Sequence, residues 1–332
     1  MVTAEPLLRV EQLTAGFDAG GRLLPAVQDV SFALSPGRTL GIVGESGCGK
    51  TATALSIVRL LRPPGRIVSG RVLFEGRDLL SLDDEEMRSV RGAGIGFIFQ
   101  EPGAALSPVY TIGDQIAEAM VVHGQAGWRE ARRRAVDLLD AARVPDPAVR
   151  AREYPHELSG GLRQRVLVAV ALACGPRLVI ADEPTTALDV TIQAEILELL
   201  RDLRDRRGLA LLLITHDFGV VAQEADSVAV MYAGRIVEHG RTLDVLRAAR
   251  HPYTQGLLAC IPGGVPGTGG RLRAIEGMVP SIAHLPRGCS FESRCPVRME
   301  RCRSELPASA SVSGPGEAPH SVHCHLYEAC GT

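Results

Sequence analysis

The sequence has no excess charge of one sign. Its 36 lysines and arginines stand against 38 aspartates and glutamates, so the formal net charge is −2. Proteins that wrap nucleic acid usually present a concentrated basic surface. We therefore expect no nucleic-acid partner. Hydrophobic residues make up 45% of the chain and charged residues 22%, which is ordinary for a soluble globular protein.

Long apolar runs are also missing. The longest lies at residues 166–174, whereas a helix that spans a bilayer needs roughly 20 apolar residues. The start of the chain carries Glu5 and Pro6 and lacks the basic segment and apolar stretch of a secretion signal. We therefore expect a peripheral protein that reaches a membrane only through a partner.

Strand-like and helical patterns alternate along most of the chain, which predicts an α/β fold. Strands are predicted at 7–13, 27–34, 39–43, 71–75, 95–99, 178–181, 210–214 and 228–232, and helices at 51–61, 128–142, 191–206 and 218–225. The apolar runs at 178–181 and 211–214 suit central parallel strands that are buried on both faces. A glycine- and proline-rich stretch at 262–270 predicts a linker.

A phosphate-binding loop follows the strand predicted at 39–43. The eight residues match G-x-x-x-x-G-K-[ST] and are Gly44, Glu45, Ser46, Gly47, Cys48, Gly49, Lys50 and Thr51. Their glycines let backbone N–H groups turn around phosphates, and the following helix adds its positive end. We expect Lys50 to contact the β- and γ-phosphates and Thr51 to ligate Mg²⁺. The nucleotide-contacting set also includes Thr53.

Two adjacent carboxylates end the apolar strand predicted at 178–181. A carboxylate at the end of a buried strand is costly without a cation, so we expect Asp182 to lie beside Mg²⁺, directly or through water. Glu183 would then act on the water that attacks the γ-phosphate, either as its general base or as the residue that positions it.

Residues 158–165, Leu-Ser-Gly-Gly-Leu-Arg-Gln-Arg, resemble the signature of the ABC ATPases. Leu162 stands where the usual shorthand has glutamine. Ser159 and the flexible pair Gly160 and Gly161 would begin a helix whose N-terminus can face a phosphate. In this family that phosphate belongs to ATP held by a second subunit, so the resemblance implies ATP sandwiched in a head-to-tail dimer.

Other motifs of the same family occur in the expected order. They are Phe17 as the aromatic that stacks on adenine, Gln100 as the glutamine that contacts Mg²⁺ or the attacking water, Asp189 in the D-loop 187–189, and His216 as the switch histidine. The resemblance covers about residues 7–262. It implies a P-loop NTPase (RecA-like) core with an antiparallel β subdomain at 1–100 and 159–261, a helical subdomain at 101–158, and an extension at 262–332. It also implies that Glu183, His216, Gln100 and Lys50 carry ATP hydrolysis.

Two further stretches resemble the oligopeptide and dipeptide importers within this family. Residues 100–115 are similar to their segment after the Q-loop, and residues 251–258 to the end of their ATPase domain. The resemblance implies partnership with a second homologous ATPase, two membrane permease subunits and an external substrate-binding protein, at the cytoplasmic face of the membrane. Peptides are the expected cargo; nickel chelates, glutathione and some sugars are alternatives. A soluble ABC ATPase acting on DNA or ribosomes is disfavoured, since no long coiled-coil insertion or second ATPase unit is present.

Cysteines cluster in the extension. Cys289, Cys295, Cys302 and Cys324 have the spacing C-x5-C-x6-C-x21-C, which is similar to the D-type subunit of these importers, where four cysteines hold a [4Fe–4S] cluster. Four thiolates suit such a cluster, and a reducing compartment disfavours disulfides. Zinc is the alternative, because His323 and His325 flank the last cysteine; Cys330 would be a substitute ligand or a free thiol. The extension would be structural, and redox sensing remains a second hypothesis.

Overall fold

A computed structural model of the chain describes residues 5–186, 188–260, 275–314 and 318–328. The strands in chain order are β1 (Leu8–Ala19), β2 (Arg22–Leu34), β3 (Thr39–Val43), β4 (Gly65–Phe74), β5 (Arg77–Asp78), β6 (Ile95–Ile98), β7 (Leu178–Asp182), β8 (Ala210–Thr215), β9 (Ser227–Tyr232), β10 (Arg235–Arg241), β11 (Ser309–Ser311) and β12 (Ser321–His323). All eight predicted strands are present, with ends shifted by a few residues.

The α-helices are α1 (Lys50–Ile57), α2 (Asp84–Val90), α3 (Pro102–Ala105), α4 (Ile112–Val122), α5 (Trp128–Ala141), α6 (Pro147–Arg150), α7 (Gly160–Leu172), α8 (Val190–Arg207), α9 (Phe218–Glu224), α10 (Thr242–Arg247) and α11 (Pro252–Ala259). Short 3-10 turns lie at Pro155–Glu157, Glu292–Arg294 and Glu300–Arg303. The four predicted helices are confirmed. Among the described residues, no helix has both the length and the apolar character to cross a membrane.

The chain divides into two compact units. The first consists of residues 5–7, Leu34–Arg38 and Ser81–Ile214, and the second of Leu8–Ala33, Thr39–Leu80 and the described residues from Thr215 onward. The helices α3 to α6 all fall within the segment 101–158 for which a helical subdomain is predicted. The predicted subdomain boundaries themselves stay a prediction.

Parallel strands form the centre of the first unit. β6 pairs with β7, from Ile95 opposite Leu178, and β7 pairs with β8 up to Asp182 opposite Ile214. Every residue of β7 and β8 is buried, as the continuous apolar runs predict for strands covered on both faces. Because the strands are parallel, the residues that follow β6 and β7 emerge at one edge of the sheet.

The helices of the first unit pack through narrow apolar faces. In α5 the buried residues are Ala131, Ala135 and Leu139, each one turn after the last, so a helix rich in arginine buries a single stripe. In contrast, α7 is buried along most of its length from Gln164 to Leu172. This explains why its sequence contains the longest apolar run although it spans no membrane.

Two sheets build the second unit. One has the strand order β2-β1-β4-β5, with β1 and β4 antiparallel, which confirms the expected antiparallel β subdomain. In the other, β3 is parallel to β9, while β9, β10, β12 and β11 pair antiparallel in that order. The phosphate loop therefore follows a strand that is anchored in this second sheet.

The described residues of the C-terminal extension belong to the second unit and share its sheet and core. Its strand β12 pairs with β10, placing Val322 opposite Glu238, and its Phe291 belongs to the same apolar core as Val43 and Tyr253. Three-residue strands are too short for a periodic pattern to reveal, and a single buried phenylalanine gives no periodicity at all. The predicted linker at 262–270 and Cys330 lie outside the described residues.

Candidate nucleotide site

The phosphate loop runs between β3 and α1 and requires glycine at three positions. Gly47 and Gly49 have φ of +77° and +105°, in the region that glycine adopts without strain. A Cβ on Gly49 would lie 2.3 Å from the carbonyl oxygen of Ala26, and one on Gly44 would lie 2.2 Å from that of Met231. The loop is thus shaped both by its turns and by close backbone packing.

Lys50 starts α1 and turns back into the loop. Its side chain is 4% exposed, and its Nζ donates hydrogen bonds to the carbonyl oxygens of Gly44 at 2.8 Å and Glu45 at 3.1 Å. These bonds hold the ammonium group inside the loop. A cation held in this way is suited to phosphate oxygens.

The remaining loop residues differ in exposure. Ser46, Gly47 and Thr51 are exposed, while Cys48 is buried and burial raises the pKa of its thiol. Thr53 is fully buried, and its hydroxyl donates to the carbonyl oxygen of Gly49 at 3.0 Å, so it supports the turn into the helix. Ser46, Gly47 and Thr51 are therefore the loop residues that face solvent.

Phe17 lies near the end of β1 and is half-buried. It pairs with Gly65 of β4, and a Cβ on that glycine would come within 3.0 Å of the Phe17 ring. The ring is therefore held against a neighbouring strand in the second unit. Its predicted stacking on adenine stays a prediction.

In the first unit, two chain segments bring an amide and a carboxylate together. Gln100 follows β6 and Glu183 follows β7, and Gln100 Nε2 donates to Glu183 Oε2 at 3.0 Å. The Thr186 hydroxyl donates to the same oxygen at 2.8 Å. Glu183 has φ of +46°, a conformation that costs energy for a residue with a side chain. The sequence predicts both Gln100 and Glu183 but not Thr186.

Asp182 ends β7 and is only 3% exposed. A carboxylate buried to that degree is costly unless a cation or hydrogen-bond donors compensate it. Carboxylate and hydroxyl oxygens are also the hard donors that Mg²⁺ prefers. The chemistry of Asp182 in the first unit and of Thr51 in the second therefore fits the predicted metal ligands.

The signature segment is placed at a helix N-terminus, as predicted. Ser159 caps α7, with its hydroxyl accepting the amide of Leu162 at 3.4 Å. Ser159 and Gly160 are exposed, and a Cβ on Gly161 would lie 2.8 Å from the side chain of Ile192. This helix end therefore presents open backbone donors to solvent and packs closely against the start of α8.

Asp189 and His216 occupy two further helix and strand ends. Asp189 is exposed and caps α8 by accepting the amide of Ile192 at 3.0 Å; its neighbour Ala187 is outside the described residues. His216 follows β8 and is exposed. Their predicted contacts with nucleotide stay predictions.

Two residues contact the phosphate loop that the sequence patterns do not predict. The hydroxyl of Tyr253 accepts the backbone N–H of Glu45 at 2.9 Å. Arg294 of the extension donates to both carboxylate oxygens of Glu45, at 2.6 and 3.0 Å. No local pattern indicates either contact, since the partners are 208 and 249 residues apart.

The four predicted ligand cysteines line one small cavity in the second unit. Burial, together with the charges of the other three cysteines, raises the pKa of Cys289 to about 11; burial also raises the pKa of Cys295 and Cys324. Within the described ranges, no three histidine, cysteine or acidic side chains converge as ligands of a single metal ion. The cavity therefore brings four thiols together, but the described side chains are not arranged as ligands of a single metal ion.

Of the two histidines beside Cys324, His325 also lines the thiol cavity, but both of its ring nitrogens have hydrogen-bond partners. Its Nδ1 contacts Glu328 at 2.9 Å and its Nε2 contacts the carbonyl oxygen of Glu305 at 3.1 Å. His323 lines a different cavity, next to Arg235. Four thiolates are a donor set that suits an iron–sulfur cluster, and a histidine with thiolates is one that suits zinc.

Comparison with known proteins gives consistent matches over the whole chain. The family model described as ABC transporter matches residues 27–186, and that of the oligopeptide/dipeptide transporter C-terminal region matches residues 237–302. A putative peptide import ATP-binding protein of Brucella abortus is 49% identical over 94% of this chain and 96% of its own length. The dipeptide transport ATP-binding protein DppD of Bacillus subtilis is 46% identical over 98% and 96%.

Solved structures agree with these matches. The ATP-binding cassette MJ0796, in a dimeric post-hydrolysis state with ADP and Pi, aligns with a TM-score of 0.64 and 28% identity over 71% of this chain and 98% of its own. Clostridium perfringens cbiO1, part of the ABC transporter complex cbiONQ, aligns with a TM-score of 0.63 and 25% identity over 74% and 92%. The uncovered part of this chain is more than a quarter of its length.

Proposed function

This chain belongs to the ABC transporter ATP-binding proteins, and from that premise we propose that it is the ATP-hydrolysing subunit of a peptide importer. Relatives named for peptide import and for dipeptide transport share 46–49% identity over nearly its full length. The matched C-terminal region, described for oligopeptide and dipeptide transporters, supports the same cargo class.

ATP binding is assigned to the phosphate loop of the second unit. Backbone N–H groups of the loop and the Lys50 ammonium would hold the phosphates, because the lysine is already directed into the loop by two carbonyl contacts. Phe17 would stack on adenine. Thr51 and Asp182, with Gln100, would hold Mg²⁺, which when bound neutralises part of the phosphate charge.

Hydrolysis is assigned to Glu183, and the hydrogen bond between Gln100 and Glu183 is the observation that carries this assignment. The amide of Gln100 and the hydroxyl of Thr186 both donate to Oε2, which fixes the orientation of the carboxylate that would accept a proton from water. His216 would hydrogen-bond the γ-phosphate.

The proposed assembly contains a second ATPase subunit. The capped, exposed start of α7 at Ser159, with Gly160 and Gly161, would bind ATP held by a partner ATPase, because a helix N-terminus attracts phosphate. Asp189 would face the same partner. We place the assembly at the cytoplasmic face of a membrane, with two permease subunits and, outside, a substrate-binding protein. Val109 and Tyr110 are 71% and 58% exposed and lie in the stretch 100–115, which we assign to the contact with a permease subunit.

Glu183→Gln tests the catalytic assignment. In the full chain assembled with its partner ATPase, we expect ATP turnover to fall at least about 100-fold, as for loss of a general base, with ATP binding retained. Glu153→Gln, which alters a glutamate paired with Arg150, is the matched control and should turn over ATP normally. Unchanged turnover in Glu183→Gln would remove the assignment of the base.

We further propose that the four cysteines hold a [4Fe–4S] cluster, which would order the extension. Anaerobically purified chain should contain iron and acid-labile sulfide near four of each, and Cys302→Ser should lose both. Cys260→Ser, outside the thiol cavity, is the control. Zinc without iron would instead favour the alternative metal, and no metal would leave the cysteines without a ligand role.

A further inference from the structure

Arg294 of the C-terminal extension reaches into the phosphate loop although it lies in the 3-10 turn directly before Cys295. Its Nη1 donates to Glu45 Oε2 at 2.6 Å and its Nη2 to Glu45 Oε1 at 3.0 Å. The arginine side chain is 3% exposed and the glutamate side chain 30%. A two-point pair of this kind fixes direction as well as distance, so Glu45 cannot turn without moving the guanidinium.

The guanidinium is itself held by several groups of the second unit. Its Nε donates to the carbonyl oxygen of Glu276 at 2.9 Å, and its Nη2 to that of Ile275 at 3.1 Å. The rings of Tyr232 and Phe291 lie 5.8 and 5.9 Å from its central carbon. Apart from Glu45, these groups that hold Arg294 lie in the strand β9 or in the extension.

Glu45 is the residue of the phosphate loop that Arg294 contacts. Its backbone N–H donates to Tyr253, and its carbonyl oxygen accepts from Lys50 and from the amide of Cys48. The same residue thus fixes the lysine that would contact phosphate. Its carboxylate is also a negative charge inside a loop that would bind a polyanion, and only a neutralising partner makes that placement favourable.

We propose that Arg294 is a positioning residue for ATP binding: it neutralises and orients Glu45, so that the fold of the extension sets the affinity of the phosphate loop. This rests on the proposed ATP site. The hydrogen bonds with Glu45 raise the pKa of Arg294, so the guanidinium stays charged at all working pH values. Because Arg294 adjoins Cys295, any change that loosens the thiol cavity would weaken ATP binding through this pair.

A double-mutant cycle on the full chain separates this role from a general effect on folding. We expect Arg294→Met to raise the dissociation constant of a fluorescent ATP analogue about tenfold, the size of one charge-assisted hydrogen bond lost. In the Glu45→Gln background the same change should raise it less than about twofold, because the charge that Arg294 neutralises is gone. Arg294→Lys should retain most of the affinity.

Arg298→Met is the matched control, since Arg298 is half exposed and pairs only at 3.8 Å with Glu292; it should bind the analogue as the native chain does. Equal losses for Arg294→Met in both backgrounds, or no loss in either, would overturn the inference. If Arg294→Met does not fold, as judged by thermal unfolding, the cycle runs with Arg294→Gln, which also removes the positive charge, and its two affinity losses are compared in the same way. Failure of the native chain to bind the analogue would overturn the proposed function as well.

Discussion

Glu238 of β10 joins the last described residues of the chain to the second unit. The residue is completely buried, and its Oε1 accepts the amide of Arg250 at 2.7 Å and contacts His320 Nε2 at 2.8 Å. Its Oε2 accepts the amide of His251 at 2.9 Å. Three donors from three chain positions therefore converge on one carboxylate. Glu238→Gln keeps the shape of the side chain but replaces one of its two acceptor oxygens with an N–H₂ donor.

The energetic cost of Glu238→Gln follows from the number of hydrogen-bond donors that face the Glu238 carboxylate. In either orientation of the new amide, at least one buried donor faces an N–H₂ group and is left unsatisfied, which costs about 1–3 kcal/mol. The charge-assisted bonds that remain become neutral and weaken by roughly another 1 kcal/mol. We therefore expect the pairing of β12 with β10 to lose about 3 kcal/mol, which is a factor of about 100 in its opening equilibrium.

Hydrogen exchange followed by mass spectrometry measures this local opening. Peptides that contain β12 should exchange about 100-fold faster in Glu238→Gln, while peptides from β7 keep their protection. Glu300→Gln is the control, because the Glu300 side chain is 88% exposed and its pairing with Arg303 contributes little. Unchanged exchange in β12 peptides would refute the reasoning that this carboxylate holds the strand.

The same site gives a pH dependence with a defined sign. Burial would raise the pKa of Glu238, but hydrogen bonds from His320 and two backbone amides outweigh burial and hold the pKa below its usual value of 4.5. The folded form therefore binds its proton less readily than the unfolded form. The stabilisation is complete above pH 4.5 and is lost as the pH falls through the folded pKa. Exchange corrected for intrinsic rates should show this loss in the native chain and a flatter profile in Glu238→Gln.

Four further substitutions test the two units separately. Gly49→Ala should abolish binding of a fluorescent ATP analogue, since the added Cβ would lie 2.3 Å from a carbonyl oxygen. The Cβ of Gly47→Ala meets open space, so this variant should retain binding at a cost of about 1–2 kcal/mol of backbone strain. Equal binding by the two variants would contradict the packing argument. Asp189→Ala removes the cap of α8 and should lower the free energy of unfolding by about 1 kcal/mol, measured by urea denaturation. Tyr253→Phe leaves the Glu45 amide without its acceptor and should weaken analogue binding roughly fivefold; native affinity would show that the bond is dispensable.

Much of the chemistry is determined by short local patterns. The glycine spacing between β3 and α1 requires a tight turn followed by a helix, and the structure has that turn. Likewise, Gln100 and Glu183 each follow a predicted apolar strand, and parallel pairing of those strands then brings the two side chains within 3.0 Å. The positions of Gln100 and Glu183 directly after their strands were enough to predict that they lie close together, because the ends of adjacent parallel strands share one edge of a sheet.

The extension shows where local patterns fail. Four cysteines with regular spacing predict a shared ligand, and they do line one cavity. Nothing near Arg294 in the sequence indicates that it contacts Glu45, and three-residue strands such as β12 carry no readable period. The sequence by itself determined the residue types and spacings to which we assign phosphate binding and the activation of water. Only the tertiary structure decided which distant residues hold the loop in place, because contacts between residues 249 positions apart depend on how whole strands and turns pack and not on any neighbour in the chain.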